Sequence, residues 1–185
     1  MPEDAEICIK EAYRDYTPPL NVAKTVRLLL RSVPPKYLRG LDCVVLTNLS
    51  GQPRRNRVGK IIRRGRRVSR SHVAGLYHRQ WQGNPPWIEL YVDQILRSLP
   101  RWSSWIPLIT TQLIAETLFH ELGHHIHLFI RPEYREKEDV ADDWKKKLHG
   151  NFIQKRYFYL IPLIRTINFL RRRTTASSEL PPSPS

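Results

Sequence analysis

The sequence predicts an α+β domain built from an N-terminal helix, a small mixed sheet with an edge strand, and two successive helices after the sheet. Three observations carry that prediction. Apolar residues recur at helical spacing in three separate stretches, short β-branched runs lie between the first and second, and proline or glycine marks most of the joints. A chain of 185 residues suits one domain with extensions. With 41% hydrophobic and 10% aromatic residues it can build a core, which excludes a globally disordered chain.

Residues 1–17 read as a polar N-terminal arm, and residues 18–150 as the folded domain. Pro18 and Pro19 introduce the first helix, whose Val22, Val26, Leu29, Leu30 and Val33 fall on one side. Pro34 and Pro35 end it. Leu41 to Thr47 is short, apolar and β-branched, as in a buried strand. Val73 to Gln82 reads as another strand, and Asn84-Pro85-Pro86 as a turn. Trp87 to Asp93 follows, with Ile88, Leu90 and Val92 on one face and Glu89, Tyr91 and Asp93 on the other.

A long helix is expected from about Thr110 to Ile130, with Leu118, Leu122, Ile126 and Phe129 on one side. Pro132 opens a second helix. Its acids (Glu133, Glu136, Glu138, Asp139) come early and its lysines (Lys145, Lys146, Lys147) late, which complements the helix dipole. Val140, Ala141, Trp144 and Leu148 give its apolar stripe, and Gly150 reads as its C-terminal cap. Residues 151–173 form a basic, apolar extension, and Thr174 to Ser185 a Ser/Pro-rich tail without fixed structure.

Cys8 and Cys43 lie far from the histidines and show no CxxC spacing, so no disulfide framework is indicated and the pattern suits a reducing compartment. Met1 to Lys10 lacks the apolar stretch of a secretory leader. No apolar run reaches the ~18 residues of a membrane span. The expected location is therefore the cytoplasm.

The chemistry is concentrated in His120-Glu121-Leu122-Gly123-His124. On a helix, positions four apart share a face, so both imidazoles can reach one tetrahedral Zn²⁺ at about 2.0–2.1 Å. Glu121 lies about 100° around the helix from His120. It is beside the metal rather than on it, placed to accept a proton from a water there. Gly123 leaves room for a neighbouring element. A catalytic zinc needs a third protein ligand and an open position. The metzincin pattern would put a third histidine at position 130, which is Ile130. On the second helix, Glu138 and Asp142 share a face. Glu138 can complete the ligand set, and Asp142 can accept the remaining N–H of a ligating histidine. The competing reading makes both acids ordinary dipole-complementing surface residues.

His120-Glu121-Leu122-Gly123-His124 followed by Glu138-Asp139-Val140-Ala141-Asp142 resembles the pattern of gluzincin zinc peptidases, and is similar to their small intracellular ImmA/IrrE-type members. In those, a helix after the active-site helix supplies a Glu followed three residues later by Ala, which Glu138 and Ala141 match. The resemblance covers roughly residues 20–150. It implies a zincin-like fold, a Zn²⁺ cofactor, and endopeptidase activity through a metal-activated water. The interval from His124 to Glu138 is short for that class. His149 is the alternative third ligand, which would make the site similar to SprT-like proteases with three histidines. Tyr134 and His149 are also candidates to stabilise the oxyanion. His125 and His127 read as polar surface or core histidines. The strand Trp87, Ile88, Glu89, Leu90, Tyr91 is the expected edge to which an extended peptide substrate pairs.

The formal net charge is +14, and no acidic residue occurs between Cys43 and Ile88. That interval holds Arg54, Arg55, Arg57, Lys60, Arg63, Arg64, Arg66, Arg67, Arg70 and Arg79, broken by glycines into strands and basic turns. The segment from Arg54 to Arg79 is either a nucleic-acid partner surface or a solvated basic hairpin. Residues 152–173 mix Phe152, Phe158 and Leu160 with Lys155, Arg156 and Arg171. They suit a membrane surface, a partner groove or packing on the domain. Three functions compete at this stage: a gluzincin-type peptidase, a SprT-like protease brought to nucleic acid by its arginines, and a non-catalytic basic nucleic-acid-binding module with a vestigial metal site.

Overall fold

The fold comes from a computed structural model that describes residues 7–51, 60–63, 66–69, 73–97, 99–100, 106–130 and 138–157, with 60–63, 66–69 and 130 as backbone only. The order is β1 (Cys8–Glu11), α1 (Val22–Ser32), β2 (Cys43–Thr47), β3 (Lys60–Arg63), β4 (Arg66–Ser69), β5 (Gly75–His78), β6 (Trp87–Tyr91), α2 (Val92–Leu96), α3 (Pro107–Ile130) and α4 (Glu138–Tyr157). The class is α+β, with a four-stranded sheet and four helices among the described residues.

The sheet runs β1-β2-β6-β5. β1, β2 and β6 are parallel, and β5 is antiparallel to β6. β3 and β4 pair separately, with Arg63 opposite Arg66. The period-two pattern sorts the two faces. Val44 and Leu46 of β2, with Ile88 and Leu90 of β6, enter one core with Val22, Val26 and Leu29 of α1 and Leu118, Leu122 and Ile126 of α3. Tyr91 lies in a second, smaller cluster with Leu49 and Val73.

α1 starts where Asn21 Oδ1 accepts the Lys24 N–H at 2.8 Å, an N-cap bond that uses one of the unpaired donors of the first turn. The strand expected to reach Asp93 stops at Tyr91, because Val92 begins α2. Asp93 then turns back onto the chain after β2, and its carboxylate accepts the N–H groups of Leu49 at 2.9 Å and Ser50 at 3.4 Å.

Four further expectations need correction. The polar arm contains a strand: Ile7 and Ile9 alternate onto the core amid charged neighbours, so Cys8–Glu11 joins the sheet as an edge. The segment Val73 to Gln82 forms a strand only over Gly75–His78. β6 is not an edge strand, because β2 and β5 occupy both of its sides. Gly150 does not end the second helix, which continues to Tyr157. A helical glycine costs about 1 kcal/mol, and burying a Phe offsets that by about 2 kcal/mol or more. Phe152, only 2% exposed, supplies that burial, so the first turns of the presumed C-terminal extension belong to the domain.

Tyr134, the acids Glu133 and Glu136, the arginines at 54, 55, 57, 64 and 70, residues 158–173 and the tail 174–185 lie outside the described residues. Among the described residues, no helix is long and apolar enough to cross a membrane.

Candidate metal centre

α3 owes its depth in the fold to Ile114, Leu118, Leu122 and Ile126, at four-residue steps and all essentially fully buried. The same helix therefore carries His120, Glu121 and His124 into the interior, where each is buried. α4 packs along it. The two backbones come close at Gly123, where a Cβ would lie 2.6 Å from the Ala141 carbonyl oxygen and 2.9 Å from the Ala141 Cα. The space left by Gly123 is thus filled by the α4 backbone, and Glu138, one turn before Ala141, comes to the histidines.

Three ligand atoms converge there. His120 Nε2 lies 3.2 Å from His124 Nε2. Glu138 Oε2 lies 3.3 Å from His120 Nε2 and 4.0 Å from His124 Nε2. Bonds of about 2.0–2.1 Å in a tetrahedron put ligand atoms roughly 3.4 Å apart. The observed separations bracket that value, so His120, His124 and Glu138 fit a divalent metal ion, and they form a candidate metal-binding group.

The protonation pattern agrees. His120 Nδ1 lies 3.0 Å from Asp142 Oδ1. A carboxylate can only accept, so Nδ1 carries the hydrogen and Nε2 turns its lone pair toward Glu138 and His124. Lys145 Nζ sits 3.1 Å from the same Asp142 oxygen. Desolvation by itself would raise the Asp142 carboxyl, but the hydrogen bond and charge of Lys145, with His120, outweigh it and hold it below the usual carboxylate range. Asp142 therefore stays an acceptor.

Glu121 points to the other side, toward β5. Its Oε2 accepts the Tyr77 N–H at 2.9 Å. That contact needs Gly75, where a Cβ would lie 2.8 Å from Thr117 Cγ2 and 2.9 Å from Glu121 Cγ. Gly75, Tyr77 and Lys145 are not assigned to the site by the sequence motifs. Gly75 carries the one available signal, a glycine inside an apolar strand run, which marks close approach of another element.

His125 serves the fold. Its Nε2 lies 3.0 Å from the Arg39 carbonyl and its Nδ1 3.2 Å from the Tyr77 hydroxyl. The carbonyl fixes the hydrogen on Nε2, so the Tyr77 O–H donates to Nδ1. Burial pushes the His125 pKa down, against the Arg39 hydrogen bond. His127 is buried, and its Nε2 has no hydrogen-bond partner among the described residues.

His149 is not with the metal group. It hydrogen-bonds Gln112 Oε1 and its ring tilts against Phe119. Gln112 precedes His120 by two helical turns, about 12 Å along the axis. The strand Trp87–Tyr91 also does not take the expected role: β2 and β5 already pair with both of its sides. Ile88 and Leu90 are core residues, while Glu89 Oε2 accepts the Tyr91 hydroxyl at 3.0 Å and lies 3.1 Å from His78 Nε2.

Comparison with known protein families, with curated proteins and with solved structures found no match to this chain.

Proposed function

We propose that the chain is a zinc-dependent endopeptidase with a zincin-like fold of gluzincin type. The observation that carries this reading is the convergence of His120 Nε2, His124 Nε2 and Glu138 Oε2 at separations of 3.2, 3.3 and 4.0 Å. These three residues would hold the metal, and Asp142 would orient His120. Bound there, Zn²⁺ would supply Lewis acidity toward a peptide carbonyl and lower the pKa of a water.

Glu121 is the general base. It takes a proton from the attacking water and passes it to the leaving amine. The Tyr77 N–H holds its carboxylate on the β5 side of α3, outside the group of three ligand atoms. The peptide docks along β5, not β6, because β5 is the edge strand next to α3. We further propose a cytoplasmic location, which suits two cysteines whose spacing indicates no disulfide framework.

Elemental analysis of purified wild type, His120→Ala and Glu138→Ala tests the site. About one zinc per chain in wild type, lost or greatly weakened in both variants, is the expected result. Folded wild type that takes up no zinc on reconstitution would sink the proposal. Zinc retained at full affinity by Glu138→Ala would remove Glu138 from the ligand set.

A further inference from the structure

The far end of β5 and β6 presents a feature that the metal centre does not use. The two strands join through Gln82-Gly83, closed by a Trp81–Asn84 bridge. The Asn84 N–H donates to the Trp81 carbonyl at 2.9 Å, and the Trp81 N–H to the Asn84 carbonyl at 3.3 Å. Both turn residues have positive φ, 47° at Gln82 and 82° at Gly83. That is the tight two-residue turn whose twist matches its strands, so the tip is well defined.

On this tip Trp81 is 67% exposed, the most exposed large apolar side chain among the described residues. Tryptophan is highly buried on average, so an indole held out on a tight turn calls for a partner. Lower on the hairpin, the His78 and Trp87 rings stack at 3.8 Å and 6°. Beside Trp87 opens a cleft of about 320 Å³, lined also by Asn84, Pro85, Lys10 and Asp42. One hairpin thus offers an open aromatic ring at its tip and a second, half-buried ring at a cleft lined by one cation, Lys10, and one anion, Asp42.

The geometry points to single-stranded nucleic acid as the partner, with one base stacked on Trp81 and a neighbouring nucleotide in the cleft beside Trp87. Stacking on an indole suits unpaired bases, which have open π-faces, whereas duplex bases are already stacked. The charge is complementary. The chain carries a net +14, β5 and the hairpin tip lie within the interval from Cys43 to Ile88 that has no acidic residue, and Arg79 is exposed next to the tip. The exposed side chains around Trp81 are amides, Gln80, Gln82 and Asn84, which can bond base edges. An acidic membrane is the weaker fit, because interfacial anchoring needs a broad apolar face and the hairpin exposes one large apolar side chain. The site uses no metal ligand, so it stands or falls apart from the peptidase reading.

The test is fluorescence anisotropy of a 5′-labelled thymidine oligonucleotide of about 20 residues with the full chain, in low and moderate salt, with and without EDTA. Trp81→Ala should weaken binding about tenfold or more, and Trp81→Phe should keep most of it. A duplex of the same length should respond much less to Trp81→Ala. Trp81 is exposed, and unchanged circular dichroism would show that both variants fold. The proposal is overturned if wild type does not bind the oligonucleotide at low salt, or if Trp81→Ala binds it as tightly as wild type. It is equally overturned if Trp81 governs sedimentation with phosphatidylserine vesicles while oligonucleotide binding is unaffected.

Discussion

Asp142 Oδ1 lies 3.0 Å from His120 Nδ1, on the opposite side of the ring from the Nε2 that faces Glu138 at 3.3 Å. The carboxylate thereby sets which nitrogen can bind a metal. Removing such a partner typically costs ten- to a hundredfold in metal affinity. Asp142→Ala should therefore weaken zinc binding by about that factor in a competitive chelator titration, with little change in fold, because its side chain is 21% exposed on the α4 surface. An unchanged zinc affinity would reduce Asp142 to a helix-surface acid paired with Lys145.

Glu121→Gln separates holding the metal from using it. The amide oxygen of glutamine can still accept the Tyr77 N–H that Glu121 Oε2 accepts at 2.9 Å, so the local structure should survive. Zinc content should match wild type. Hydrolysis of a cleaved peptide should fall by about a hundredfold or more, the usual contribution of a general base. Zinc bound normally with full activity retained would remove Glu121 from the mechanism.

The parts of the site that lie on single helices were legible in the sequence, and those that depend on distant pairing were not. His120 and His124 share a face by helical spacing alone. Glu138 and Asp142 follow from the same rule, and α4 brings Glu138 within 4.0 Å of both histidines and Asp142 onto His120. Strand order is a non-local property. The alternation in Trp87–Tyr91 gives its two faces but cannot say that β5 covers its outer side. β1 hid for a related reason: Ile7 and Ile9 supply too short an alternation to stand out among charges until β2 pairs with it. Gly150 carries the stop signal of a helix end, but Leu148 and Phe152 on either side of it are buried, and tertiary packing outweighs the local preference.

Gly123 tests whether the close approach of the two helices builds the site. A methyl group there would meet the Ala141 carbonyl oxygen at 2.6 Å, and backbone cannot swing aside as a flexible side chain can. Gly123→Ala gains up to about 1 kcal/mol of helix propensity. Overpacking costs about 1–3 kcal/mol, so the net effect should be destabilising. The same displacement moves Glu138 away from the histidines. Zinc affinity should fall even where the variant is still folded, by an amount that chelator competition reads separately from denaturant unfolding. Wild-type stability together with wild-type affinity would mean that α3 and α4 do not depend on contact at this point.

His149 gives a pH test away from the candidate metal ligands. Burial pushes its pKa below the ordinary histidine value, with Glu116 acting against the shift and Lys145 with it. The unfolded chain therefore takes up a proton at a higher pH than the folded one. Its contribution to stability is full above the unfolded pKa of about 6.5 and is lost as pH falls toward the lower folded pKa. The Nε2–H bond to Gln112 Oε1 can persist in both protonation states, so the loss comes from placing a cation in a partly buried site beside Lys145. His149→Gln removes the titration. Chemical denaturation of the two proteins between pH 8 and pH 5 should show wild type losing more stability than the variant, with the gap opening below about pH 6.5. Parallel pH profiles would mean that His149 titrates alike in the folded and unfolded chains.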